Sequence, residues 1–139
     1  MVIREFRMAD QEAVVALWEA CGLTRPWNDP RKDIQRKVDA QPELFFVAEL
    51  AGAVIGTAMV GYEGHRGWIN YLAVSPGHRR AGIASKLMER AEVELKSRGC
   101  PKLNLQVREG NEAVLRFYEA IGYSDDRVLS LGKRLISDE

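Results

Sequence analysis

Cysteine and histidine are scarce in this chain, with two residues of each type among 139. Cys21 and Cys100 have no C-x-x-C spacing and no histidine cluster beside them, which argues against a zinc site and against a disulfide framework. We therefore expect two buried free thiols and no bound metal.

The chain also lacks an excess of charge and a long apolar run. Its 20 basic and 20 acidic side chains balance, so no global field attracts nucleic acid or an anionic membrane. No stretch of about 18 apolar residues occurs, and the amino terminus lacks the basic and apolar regions of a leader. These absences predict a cytoplasmic protein that binds neither nucleic acid nor membrane, so any anion site must be local.

The length fits a single domain, residues 1–139, which can bury roughly two-thirds of the surface of its unfolded chain. Apolar periodicity predicts the element order β-α-α-β-β-β-α-β-α-β, which fits a mixed α/β sheet. Asp29 and Pro30 suit the cap and first position of the second helix. A strand–helix–strand crossover around the third helix implies local parallel pairing, and residues 127–136 are the predicted last strand.

A phosphate-binding geometry is predicted where the strand at residues 68–74 is followed by a loop of small residues and a helix. The loop reads Arg-Arg-Ala-Gly-Ile-Ala over residues 79–84, and Gly82 and Ala84 leave the helix start free of bulk. The first N–H groups of a helix have no internal partners and carry the positive end of its dipole. A pyrophosphate can approach them closely, although the same residues also suit an ordinary tight turn.

A second pattern, N-x-A-x-x-x-x-Y-x-x-x-G-[FY], spans residues 111–123, with Asn111 at its start and Tyr118 near its centre. Asn111 suits a helix cap, and Gly122 suits a helix end. Each pattern is weak alone, but two in fixed order are far more specific. Together they make the chain similar to the GNAT family of acyl-CoA-dependent N-acetyltransferases.

The resemblance covers nearly the whole chain and extends, through residues 23–29 and 61–67, to small bacterial YpeA-type members. It implies the GNAT acyl-CoA N-acyltransferase fold of α+β type, with a mixed, mostly antiparallel sheet of six to seven strands, four helices and a splay between the fourth and fifth strands. It also implies acetyl-CoA as cofactor, CoA as product, and an amine of a small molecule or a protein as acceptor. The resemblance leaves the acceptor unidentified.

In the family arrangement the pantetheine arm of the cofactor enters the splay. The resemblance assigns the pantetheine and thioester carbonyl to the strand end, the pyrophosphate to the loop, and further contacts to the last helix. The implied cofactor-binding residues are Leu72, Ala73, Val74, Arg79, Arg80, Ala81, Gly82, Ile83, Ala84, Asn111 and Tyr118. The family most often has glycine where this chain has Arg80, so main-chain contacts carry this assignment. In the alternative interpretation, Arg79 and Arg80 are a solvated pair on the surface and do not contact phosphate.

Tyr118 is the candidate general acid. The departing thiolate needs a proton, and a phenol with a pKa of about 10 is a sensible donor to a thiol with a pKa of about 8.5. Val114, Phe117 and Ile121 form the apolar row of the predicted helix, and Tyr118 at its margin can point at a cleft. The alternative is a core aromatic residue packed beside Phe117.

A general base is also required, because an amine with a pKa of about 8 to 10.4 is mostly protonated at neutral pH. Glu63 and His65 lie in a predicted turn close to the expected acceptor entrance, so they are candidates. Tyr71, on the strand that faces the cofactor, is a third candidate and a candidate substrate contact. The alternatives are a solvated carboxylate, an exposed histidine and a packed sheet tyrosine.

The loop between the first two helices contains Arg25, Trp27 and Asp29, and in this family that region covers the acceptor site. Trp27 would wall the pocket, Arg25 would pair with an acceptor carboxylate, and Asp29 would pair with an acceptor ammonium. A simpler interpretation makes Asp29 the cap of the second helix and Trp27 a staple against it.

An alternative function of a different class is a catalytically silent acyl-CoA-binding sensor or interaction module. Such a module needs the pyrophosphate loop but no general acid. Nucleotide phosphate transfer is disfavoured, because no G-x-x-x-x-G-K-[ST] run is present. The predicted last strand is an edge that favours a homodimer, although Lys133 and Arg134 could equally protect that edge.

Overall fold

The computed structural model describes residues 1–139. It contains five strands and four helices, and none of the helices has the length and apolar character needed to cross a membrane. In chain order the elements are β1 (Val2–Glu5), α1 (Gln11–Ala20), α2 (Pro30–Ala40), β2 (Phe45–Leu50), β3 (Ala53–Tyr62), β4 (Gly67–Val74), α3 (Ile83–Ser97), β5 (Leu103–Leu105) and α4 (Glu112–Ala120).

The strands form one sheet in the order β1-β2-β3-β4-β5. The first three pairings are antiparallel, and β4 pairs with β5 in parallel. Parallel neighbours need a crossover connection, and α3 supplies it. The predicted antiparallel run and the predicted crossover are therefore confirmed.

Helices bury both faces of the sheet. Phe45 and Val47 of β2 belong to the apolar cluster under α1 and α2, whereas Phe46 and Ala48 belong to the cluster under α3 and α4. Successive side chains of a strand point to opposite faces, so a strand buried on both faces reads as an unbroken apolar run. The result is a three-layer α/β/α arrangement.

A bulge in β4 shapes the region above the sheet centre. Between the pairs Thr57–Ala73 and Met59–Asn70, β3 contributes one residue and β4 contributes two. Tyr71, one of those two, has a φ of 50°. The extra residue changes which face each following side chain of β4 meets.

The predicted splay lies between β4 and β5. The two strands pair only from Gly67–Leu103 to Ile69–Leu105, and β4 then continues to Val74 without a partner on this side. Backbone groups along this free edge of β4 have no ladder partner, so they can bind another molecule.

The predicted last strand is wrong, and the sheet has five strands rather than six to seven. The chain does run alongside β5 there, because Lys102 Nζ donates to Asp126 Oδ2 at 2.7 Å and Gln106 Nε2 donates to Ser130 Oγ. Both contacts join residues 24 apart in sequence, as in a parallel register.

Two features prevent a backbone ladder between this segment and β5. Arg127 has a φ of 56°, outside the extended region that strand pairing requires. The backbone N–H of Arg127 donates to the Asp125 carboxylate at 2.6 Å and is not free for a ladder. In addition, β5 is only three residues long and presents few groups to pair with. Residues 127–136 therefore stay irregular.

Candidate active site

A cavity of about 1080 Å³ opens beside the splay, between β4, the segment after β5, α4 and the α1–α2 region. It brings together five of the residues singled out by the sequence, namely Arg25, Tyr71, Leu72, Asn111 and Tyr118. Cofactor-side and acceptor-side candidates therefore share one space. A smaller cavity, of about 330 Å³ between the end of α3 and the start of β5, contains none of them.

Tyr118 reaches this cavity from α4. Asn111 caps the helix, because its side chain accepts from the backbone N–H of Val114 at 3.4 Å. The Tyr118 ring is 7% exposed and meets Phe117 and Tyr123 edge-on, at centroid distances of 5.1 and 5.8 Å. Tyr118 is thus a packed aromatic residue and a cavity residue at once.

The Tyr118 phenol has no charged or hydrogen-bonding neighbour that perturbs it. Burial alone raises the pKa of Tyr118 to about 12. The hydroxyl therefore stays protonated across the physiological range. Its hydrogen is available to a molecule bound in the cavity.

The loop before α3 has the geometry of an anion site. Gly82 is the cap of α3, with a φ of 77°, and the helix begins at Ile83, whose side chain is buried in the core. A Cβ placed on Gly82 would meet nothing within 4 Å, so the space in front of it is open. The first N–H groups of α3 have no helical acceptors and point toward this space.

Arg79 and Arg80 are the first two residues of this loop, and both are exposed. Arg79 Nε donates to the carbonyl of Val74 at 3.4 Å, which ties the loop to the free end of β4. Arg80 has a φ of 66°, in the region that glycine adopts without steric cost. Ala81 is exposed and Ala84 is half-buried, so the main chain of the loop is open to a ligand.

Tyr71 is held in a network of polar contacts at the bulge. Its hydroxyl donates to Asp33 Oδ2 at 2.7 Å, and its ring stacks on Trp18 at a centroid distance of 3.7 Å. Trp18 Nε1 donates to Thr57 Oγ1 at 2.9 Å, and that hydroxyl donates to the carbonyl of Tyr71 at 2.8 Å. Burial and the Asp33 carboxylate raise the pKa of the Tyr71 phenol, so it keeps its proton.

Asp33 is a site residue that the sequence did not reveal. It lines the cavity and is the only carboxylate there, and it accepts from Tyr71 and, at 3.0 Å, from Arg36 Nη1. No local pattern distinguishes it from the other polar residues of α2. Its position depends on a contact with Tyr71, 38 residues away.

Glu63 and His65 lie outside the cavity. Both are exposed in the turn between β3 and β4, where Glu63 Oε1 accepts from the backbone N–H of Arg66. His65 Nδ1 lies 3.4 Å from Arg66 Nη1. The two residues lie in a turn, as predicted, but they do not line the cavity that contains Tyr71 and Tyr118.

Trp27 and Asp29 also lie outside the cavity lining. Trp27 is 53% exposed. The Asp29 carboxylate accepts from the backbone N–H groups of Arg31 at 2.9 Å and Lys32 at 3.4 Å, so it caps α2. Of this loop, Arg25 alone among the three candidates lines the cavity.

A splayed sheet beside an open helix start, with a cavity that crosses the splay, defines an acyl-CoA N-acyltransferase fold. The sequence profile of the acetyltransferase (GNAT) family matches residues 8–123. The chain belongs to this family and is an acyl-CoA-dependent N-acetyltransferase. Members of the family use acetyl-CoA and act on amine acceptors.

Two relatives align over the whole chain. Acetyltransferase YE1169 of Yersinia enterocolitica is 52% identical over 139 residues, covering 100% of this chain and 99% of the relative. Acetyltransferase SG1711 of Sodalis glossinidius is 55% identical over 140 residues, with the same coverage. Among solved structures, AAC(6')-Iy in complex with a bisubstrate analogue, CoA-S-monomethyl-acetylneamine, has a TM-score of 0.77 and 20% identity, covering 96% of this chain and 97% of that one. This last likeness concerns the fold.

Proposed function

We propose that this protein transfers an acetyl group from acetyl-CoA to an amine of a small molecule or a protein, by direct attack while both are bound. The observation that carries the proposal is the shared cavity. Leu72, Asn111 and Tyr118 line it on the cofactor side, and Arg25 and Tyr71 line it on the acceptor side. The bisubstrate analogue bound to AAC(6')-Iy supports simultaneous occupancy.

The chain has suitable groups for CoA. In this proposal the main chain of residues 79–84 holds the pyrophosphate, with charge added by Arg79 and Arg80. The free edge of β4 offers backbone groups of Leu72 and Val74, on either side of Ala73, to the pantetheine arm. The open space at Gly82 and the unpaired edge support both assignments.

Acetyl-CoA supplies an acetyl thioester, and Tyr118 is the proposed general acid. A bond forms between the amine nitrogen and the carbonyl carbon, the carbon–sulfur bond breaks, and the sulfur takes up a proton. Burial raises the pKa of the Tyr118 phenol to about 12, and the same surroundings disfavour a thiolate and raise the pKa of the thiol. Because the pKa values of the phenol and of the thiol are both raised, the free energy of proton transfer between them stays small.

The amine must lose a proton before it attacks. We propose that Asp33 and the Tyr71 hydroxyl hold the amine, because both lie on the cavity wall and retain free lone pairs. Glu63 and His65 remain candidates for the base, and from their exposed turn they would accept the proton through a chain of water molecules.

The replacement Tyr118→Phe tests the mechanism. We expect kcat for acetyl transfer to fall by about 10²- to 10⁴-fold, because the proton donor is lost, while calorimetry gives a much smaller change in the Kd for acetyl-CoA. Tyr123→Phe is the matched control, since its hydroxyl donates to Glu92 outside the cavity, at 2.6 Å. Equal losses of kcat in both variants, or a loss of binding as large as the loss of kcat, would reject the role of Tyr118.

The silent-module alternative predicts a different result with the unmodified protein. It predicts that acetyl-CoA raises the unfolding temperature and that no amine in a broad panel is acetylated. Acetylated product, detected by mass spectrometry together with release of free CoA, would exclude it.

We also propose a homodimer that forms through residues 128–136. Five apolar side chains of this segment are more than two-thirds exposed, and they are Val128, Leu129, Leu131, Leu135 and Ile136. Burial of such a row against a second copy would be favourable.

A further inference from the structure

The acceptor side of the cavity carries more positive than negative charge. The charged side chains that line it there are Arg25, Asp33, Arg36 and Lys37, from the α1–α2 loop and from α2. Asp33 is the only carboxylate among them. A bound molecule with a negative group would complement this wall.

Arg36 is already neutralised within the protein. Its guanidinium pairs with Asp33 at 3.0 Å and with Asp138 at 2.5 Å. Asp33 and Asp138 together offset the charge of Arg36. The unmatched positive charge on this wall therefore belongs to Arg25 and Lys37.

Neither Arg25 nor Lys37 forms an ion pair. Arg25 Nη1 donates to the carbonyls of Gly22 at 2.8 Å and Thr24 at 2.9 Å. These two bonds orient the guanidinium and leave donors on its other nitrogens. Arg25 is thus a preoriented cation on the cavity wall.

Lys37 is half-buried in the same wall. Its Nζ donates to the carbonyl of Val60 and, at 3.4 Å, to Gln41 Oε1. An ammonium has three hydrogens, so one remains for a ligand. Burial lowers the pKa of Lys37 to about 8, because desolvation disfavours the ammonium more than the nearby Glu43 carboxylate favours it.

We propose that Lys37 binds a carboxylate of the acceptor, with Arg25 adding positive charge to the same cavity, and so determines which amines are acetylated. The inference rests on the proposed acetyl transfer and names its substrate class, an amine that carries a carboxylate. Tyr71 and α2 belong to one face of the sheet and Tyr118 to the other. The amine is therefore directed at the splay, and the carboxylate is directed at α2.

Matched acceptors test the substrate class. One arm uses ω-amino acids from glycine to 6-aminohexanoate, each beside its primary amide, which has the same amine but no carboxylate. The other arm uses amidated tripeptides that begin with an aspartyl or an asparaginyl residue. We expect kcat/KM to favour the carboxylate member by about tenfold or more, the size of a hydrogen bond to a charged group.

The two arms separate the sources of the carboxylate. Preference among the amino acids alone identifies a small-molecule acceptor, and preference among the peptides alone identifies a protein acceptor. Measurable acetylation without preference in either arm overturns this inference and leaves acetyl transfer standing. Absence of acetylation with every acceptor, while acetyl-CoA still binds, rejects the proposed function itself.

Variants at Lys37 separate anion binding from a structural link between α2 and Val60. Lys37→Met should reduce the preference for carboxylate over amide about tenfold, mainly through the KM of the carboxylate acceptor, and Lys37→Arg should restore most of it. Lys96→Met, which removes an exposed lysine charge outside this cavity, should leave the preference unchanged. A lower unfolding temperature with an unchanged preference would show that Lys37 acts only as a structural link.

Discussion

At the scale of single residues, two left-handed positions shape the loop before α3. Gly82 and Arg80 have φ values of 77° and 66°. Glycine adopts such angles freely, whereas an L side chain costs about 1–2 kcal/mol there. Arg80 carries this cost at the position where the family most often has glycine. The loop therefore has a left-handed backbone at Arg80, although glycine adopts that conformation more easily than arginine does.

The replacement Gly82→Val tests the loop at this scale. A side chain at Gly82 meets open space, so the expected damage comes from the backbone, because a β-branched residue rejects a positive φ. We expect the displaced amides to weaken acetyl-CoA binding by about tenfold or more, measured by calorimetry.

Gly77→Val is the matched control for that measurement. Gly77 also has open space around it, and its φ is not in the left-handed region. This variant should bind acetyl-CoA with nearly the Kd of the unmodified protein. If both valine variants bind equally well, the amides around Gly82 do not hold the pyrophosphate.

At the scale of elements, α2 places the acceptor wall. Asp29 caps it, Pro30 occupies its first position, and Ile34 is its one fully buried side chain. The polar sequence of α2 favours a superficial helix, yet Asp33 and Lys37 line the cavity. The helix is anchored by Ile34, by the partly buried Val38 and by its cap, and polar side chains of its cavity side are left for the site.

The cap gives a stability prediction for this element. Asp29→Ala should lower the free energy of unfolding by about 1 kcal/mol, because two backbone N–H groups lose their acceptor. Denaturant titration measures the change, and Asp29→Ser should retain most of the stability. An unchanged stability combined with a higher acceptor KM in Asp29→Ala would instead support the substrate-contact interpretation of Asp29.

At the scale of the whole molecule, the carboxyl-terminal segment is tied down at its far end. The Asp138 side chain is 2% exposed, accepts from the backbone N–H of Asp29 at 2.8 Å, and pairs with Arg36 and Arg134. Its hydrogen bond from Arg36, then that from the Asp29 backbone, holds the pKa of Asp138 well below its usual range. The segment before it is thus held against the molecule while its apolar side chains face outward.

The proposed homodimer gives the prediction at this scale. Light scattering after size-exclusion chromatography should give twice the monomer mass, and the double replacement Leu129→Lys, Leu131→Lys should give the monomer mass, because two exposed apolar side chains become charged. Val93→Lys, at a 64% exposed apolar residue on α3, is the matched control and should stay dimeric. A monomer mass for the unmodified protein would contradict the proposal.

The sequence by itself determined the features that depend on neighbours in the chain. The cap and first turn of α2, the Asn111 cap of α4, the loop at Gly82 and the four helices all follow from local backbone preferences and apolar periodicity. The two motifs that identify the family are of this kind, because one lies at the start of α3 and the other spans α4.

Only the tertiary structure decided the features that depend on distant partners. The apolar residues of the segment 127–136 favour a strand, but a strand also needs a ladder partner, which the three residues of β5 do not provide. The β4 bulge, the contact between Asp33 and Tyr71, and the position of Lys37 against Val60 join residues far apart in the chain. Such contacts form only when the layers pack, so no local pattern encodes them.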